Sequence, residues 1–124
     1  MNISELIGKK LLKVENVEDE KIIFLVDDES EYMLYHEEDC CEWVRVNDIC
    51  GDLDDLINSP ILKAEERTNE DKNPEGIDLK ELGEQESFTW TFYELATIKG
   101  SVTIRWYGES NGYYSESVTF CKIN

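Results

Sequence analysis

The chain reads as a mostly antiparallel β-sheet with one or two short helices, an α+β fold, and three observations predict it. The C-terminal third alternates apolar and polar residues at period two, and the N-terminal half breaks into short β-branched runs separated by acidic turns. Helical spacing is confined to two short stretches, with no heptad pattern and no internal repeat. A length of 124 residues fits one domain, 1–124, because domains cluster near ~100–150 residues and such a chain buries a core of its own. Hydrophobic residues at 40 % and aromatics at 10 % argue against disorder, despite 33 % charged residues.

Residues 3–7, with Ser4 placed to cap, predict one helical turn that Gly8 ends. Residues 9–14 and 21–26 are β-leaning runs joined by an acidic turn, and Asp27-Asp28-Glu29-Ser30 marks the next reversal before 31–36. Together they form a three-stranded meander. The β-branched content of 42–46 predicts a fourth strand. Leu53, Leu56 and Ile57 stand at i, i+3 and i+4, with Asp residues early where they suit the helix dipole, so a short helix follows. Pro60 then opens a strand over 61–65. From 66 to 86 the chain turns polar, with Pro74, Gly76 and Gly83, which predicts a long mobile acidic loop.

Phe88, Trp90 and Phe92 alternate with Thr89, Thr91 and Tyr93, and Val102, Ile104 and Trp106 alternate with Thr103, Arg105 and Tyr107. Two antiparallel strands with a turn near Lys99-Gly100 are expected. In phase with Val102 and Ile104, Trp106 belongs to the core, which leaves Arg105 and Tyr107 on the other face. Ser110-Asn111-Gly112 is a turn leading into a last strand over 113–121.

Charge is unevenly spread. Residues 27–55 hold twelve Asp or Glu against Arg45, a balance of −11 out of −17, whereas 87–124 balance to zero and hold most of the aromatic residues. A field that negative repels DNA, RNA and anionic membrane and attracts basic protein surfaces. Glu37, Glu38, Asp39, Glu42, Asp52, Asp54 and Asp55 are therefore the expected partner-binding residues. The partner class is a protein with a basic, nucleic-acid-binding surface, on which carboxylates stand in for phosphates; neither direct nucleic-acid contact nor membrane contact is expected. The start of the chain lacks the basic and apolar pattern of a secretory leader, and no run approaches the ~20 apolar residues of a span, so the cytoplasm is the expected compartment. Cys40, Cys41, Cys50 and Cys121 are expected as thiols there. An edge strand of such a sheet is free to pair with a second copy, and the oligomeric state stays open.

His36, Asp39, Cys40, Cys41, Glu42 and Cys50 include every ligand type zinc accepts, but not in the paired spacing of structural sites. Adjacent cysteines on an extended segment point to opposite faces, so small thiols beside an acidic turn are expected in place of a metal site, and no cofactor is implied. Cysteine catalysis beside His36 is opposed by Glu37, Glu38, Asp39 and Glu42, since negative neighbours disfavour a thiolate. No hydrolase elbow, P-loop or dinucleotide fingerprint is present, so the chain leans away from enzymes. A metal-dependent hydrolase at His36, Cys40 and Cys41 ranks third. The alternative to the acidic surface is a nucleotide or small-ligand binder, a sponge, in which Arg105, Tyr107, Asn111, Tyr113 and Tyr114 converge from two strands and their turn.

The strings His36-Glu37-Glu38-Asp39-Cys40-Cys41-Glu42, Ile49-Cys50-Gly51-Asp52-Leu53, Ala64-Glu65-Glu66 and Arg105-Trp106-Tyr107-Gly108-Glu109-Ser110-Asn111-Gly112-Tyr113-Tyr114-Ser115-Glu116 resemble a small family of uncharacterised proteins from bacteriophages and bacterial mobile elements. The resemblance covers nearly the whole chain. It implies an accessory protein that acts on a host factor, in counter-defence or host takeover, and brings no catalytic residue with it.

Overall fold

The computed structural model of the chain describes residues 1–39, 41–70, 73, 87–112 and 115–124. Two antiparallel sheets of four strands face each other across one core. The first has the order β1 (Leu11–Val17), β2 (Lys21–Val26), β3 (Glu31–Tyr35), β8 (Thr119–Lys122). The second has the order β4 (Trp43–Cys50), β7 (Gly100–Ser110), β6 (Ser87–Thr97), β5 (Lys63–Glu70). Every pairing between these strands is antiparallel.

Alternation explains the core. Ile22, Phe24 and Val26 of β2, Tyr32 and Leu34 of β3, and Phe120 of β8 turn inward, where they meet Val44, Val46, Tyr93, Leu95, Val102, Ile104 and Trp106 of the second sheet. Trp106 is fully buried, as its phase predicts, and Tyr107 turns to the opposite face. There Trp90, Phe92 and Tyr107 make a second, smaller apolar cluster, with Phe88 packed against it.

The mostly antiparallel β expectation holds, but the helical part shrinks. Ile3–Leu6 and Leu53–Leu56 are single 3-10 turns of four residues each, and no α-helix occurs among the described residues. Segments this short cannot offset the cost of nucleating an α-helix. Asn2 and not Ser4 caps the first turn: its side chain accepts the Ser4 N–H at 2.9 Å. Asp52 caps the second in the same way, accepting from the Asp54 N–H at 2.9 Å. The apolar spacing inside both turns still serves packing, because Ile3, Leu6 and Leu56 are buried against the main core.

Several boundaries move. The first strand begins at Leu11 and runs on to Val17, and the fourth continues through a register irregularity between Val46 and Asp48 as far as Cys50. The start of the expected loop is a strand: Glu66 to Glu70 pair with Tyr93 to Thr89. β5 lies at a sheet edge, where polar residues are tolerated because one side of the strand faces water. The rest of the expected loop, apart from Asn73, lies outside the described residues. The last strand begins at Thr119, well after the turn whose Gly112 has φ +90°.

Candidate functional site

The acidic run does not fold into one face. Glu37, Glu38 and Asp39 precede β4 and Asp52, Asp54 and Asp55 follow it. An eight-residue strand spans about 25 Å, at ~3.3 Å per residue, so the two groups sit at opposite ends of the sandwich. All are exposed except Asp55, which is half-buried, and none of the six is in an ion pair among the described residues.

Glu42 departs from this set, because its side chain is buried. It is held at 3.0 Å from His36 Nε2 and accepts the Asp39 N–H at 2.5 Å. His36 Nδ1 donates to the Ser117 carbonyl at 2.7 Å, since a carbonyl can only accept. The imidazole therefore joins the loop before β4 to residues 115–118. Among the described residues no three or more His, Cys, Asp or Glu are grouped to hold a metal ion. Cys50 ends β4, far from His36, and Cys40 lies outside the described residues. Cys50 and Cys121 are free thiols, but Cys41 is disulfide-bonded, which corrects the expectation of thiols throughout.

The expected Arg105 patch is closed in a different way. Arg105 Nε and Nη2 donate to Asn47 Oδ1 at 2.9 and 2.6 Å, with Asp48 Oδ2 at 3.9 Å, and its guanidinium lies over the Trp90 ring at 5.3 Å. Tyr107 is buried against Trp90, and its hydroxyl donates to Glu109 at 3.0 Å. Asn111 is exposed in the turn, and Tyr113 and Tyr114 lie outside the described residues. Arg105 and Tyr107 do share one face, but both are already engaged. The exposed aromatic on that face is Trp43, with the Arg45 guanidinium at 5.7 Å, a pair that sequence reading passed over.

A concavity lies where the core runs out. Inward positions of β6 read Leu95, Tyr93, Thr91, Thr89, and those of β5 beside them read Ala64, Glu66, Thr68, so the inner face changes from apolar to hydroxyl and carboxylate along the strands. A cleft of about 320 Å³ opens there, lined by Glu66, Thr68, Thr89 and Thr91 on one side and by residues 115–118 on the other. Period-two continuation of the β6 pattern past Tyr93 was the sequence signal for it.

Glu116 is the buried acid of this cleft. Thr89 Oγ1 donates to its Oε1 at 2.8 Å and Ser110 Oγ to its Oε2 at 2.5 Å. Both donors are neutral, and no cation pairs with it among the described residues. Its backbone fits only because residue 108 is glycine: a Cβ there would stand 2.9 Å from the Glu116 carbonyl oxygen and 3.0 Å from Val44 Cγ2. Tyr93 is buried beside Glu66, and its hydroxyl has no hydrogen-bond partner among the described residues. Burial first, and the Glu66 charge second, push its phenol above the ordinary range. Across Ser115 the cleft adjoins a second hollow of about 340 Å³ lined by Glu37, Glu38 and Asp39.

Fold and site together define a two-sheet antiparallel β protein with a polar, acid-lined opening at one end of its sandwich. The chain belongs to the family described as a domain of unknown function, DUF7448, whose model matches residues 4–120. No curated protein and no solved structure matches it. No helix among the described residues is long and apolar enough to cross a membrane.

Proposed function

We propose that this chain is an accessory binding protein of bacteriophage type, acting in the host cytoplasm, whose exposed carboxylates occupy a basic, nucleic-acid-binding surface of a host protein. One observation carries the proposal: Glu37, Glu38, Asp39, Asp52, Asp54 and Asp55 lack cationic partners among the described residues, in a chain of net charge −17. One-signed charge left unpaired costs stability through self-repulsion, and a basic partner relieves that cost while being steered into contact. The phage attribution rests on the resemblance of the acidic and C-terminal strings. A nucleotide sponge at Arg105 is less favoured, because Arg105 would first have to leave Asn47.

The test is a pull-down from bacterial lysate at low and high salt, with and without added duplex DNA. The expected result is a nucleic-acid-binding protein retained at low salt, released at high salt and competed off by DNA, as screening of exposed charge requires. Retention indifferent to both salt and DNA contradicts the proposal.

A further inference from the structure

We propose that the cleft between β5, β6 and residues 115–118 receives a guanidinium group, an arginine side chain of the basic partner. The inference rests on the proposed function above and names the residue type that enters. Glu66 and Glu116 line the cleft, and no cation pairs with either among the described residues, so an anion is excluded by charge. The threonines at 68, 89 and 91 leave too little apolar wall for a hydrocarbon ligand. What the walls share is acceptor capacity: two carboxylates and a row of hydroxyl oxygens.

A guanidinium is the complementary group, with five N–H donors, no acceptor and a permanent charge. A neutral sugar would answer the hydroxyls but leave the Glu116 charge, already withdrawn from water, with the two neutral donors it has among the described residues. An ammonium would answer the charge at one point, whereas a planar fork reaches a carboxylate and flanking hydroxyls at once. The cleft's volume of about 320 Å³ is at the small end of the ~300–1,000 Å³ range of ligand pockets, the scale of one side chain and not of a nucleotide. Glu37, Glu38 and Asp39 in the adjoining hollow are placed for a neighbouring cation of the same segment.

The experiment is calorimetric titration of the full chain with a short peptide carrying two adjacent arginines, its lysine and citrulline counterparts, agmatine as a free guanidinium, and a neutral disaccharide. Glu66→Gln and Glu116→Gln are compared with the double variant Asp27→Asn, Glu29→Gln in the exposed β2–β3 turn at the far end, each checked by thermal melting. Glu66→Gln keeps the test informative if Glu116→Gln fails to fold, because Glu66 is exposed. The arginine peptide is expected to bind about tenfold tighter than the lysine peptide, with about tenfold lost in each cleft variant and almost nothing lost in the far-end variant. Equal binding of the citrulline peptide or tight binding of the disaccharide overturns the inference, and so does agmatine binding tighter than the peptide. Loss in the far-end variant equal to that in the cleft variants also overturns it, but leaves the acidic binding protein intact. Failure of every basic peptide to bind at low salt sinks the proposed function itself.

Discussion

Replacing Gly108 by alanine tests whether residues 115–118 are seated where the cleft needs them. Gly108 pairs with Val44 on one side and Thr89 on the other, so its inward side belongs to the row that holds the buried Glu116. An added methyl would lie 2.9 Å from a backbone oxygen, 3.0 Å from Val44 Cγ2 and 3.1 Å from Glu116 Cβ. The nearest of these is backbone, which cannot rotate away. In a strand, alanine alone would be favoured by ~0.5–1 kcal/mol over glycine, while overpacking a close-packed site costs ~1–3 kcal/mol. The net expectation is a loss of ~1–2 kcal/mol, a fall in Tm of roughly 3–8 °C for a domain of this size. Any retreat of residue 116 also stretches the bonds from Thr89 and Ser110, so binding of the arginine peptide should weaken along with the melt. Differential scanning calorimetry beside the peptide titration measures both. A variant as stable as the parent, with unchanged affinity, would refute the close approach and the seat of Glu116 with it.

Trp106→Ala should cost ~3–5 kcal/mol as a large-to-small change in a full core, whereas Arg105→Ala, on the opposite face and tied mainly to Asn47, should leave the fold intact; urea melts of both check the strand phase. Tyr93 binds its proton more tightly folded than unfolded, so stability should be level below the ordinary phenol range and fall as pH rises through it; Tyr93→Phe should remove that alkaline loss, read by melts against pH. Asp28 is held below its ordinary range, first by the Ser30 hydroxyl and then by the Ser30 N–H. Its contribution should be present above the ordinary carboxylate range and disappear as pH falls through its folded value, and Ser30→Ala should shrink that acid dependence in an acid titration.

Much of the sheet was legible because period two is a local signal. The second strand was read to the residue, and the β6–β7 hairpin and the burial of Trp106 follow from alternation alone. The two helical segments misled because i, i+3, i+4 spacing also fits a single 3-10 turn, and only length separates the two outcomes. Glu66 to Glu70 was read as loop because an edge strand can be as polar as one. For the site, charge along the chain was plain but its distribution in space was not: one eight-residue strand carries the run from one end of the sandwich to the other. Glu42 looked like its neighbours, and the lone His36 drew it inside. The cleft needed three separate segments, and only the β6 alternation hinted at it.

Amide and methyl chemical-shift mapping of the full chain with the arginine peptide reaches both proposals at once. If the acid-lined end is the binding end, shifts should gather at Glu66, Thr68, Thr89, Thr91 and residues 115–118, extend to Glu37, Glu38 and Asp39, and spare Asp27 and Glu29. Shifts spread evenly over the whole surface, Asp27 and Glu29 included, would contradict a defined acidic receptor and leave only diffuse attraction between opposite charges.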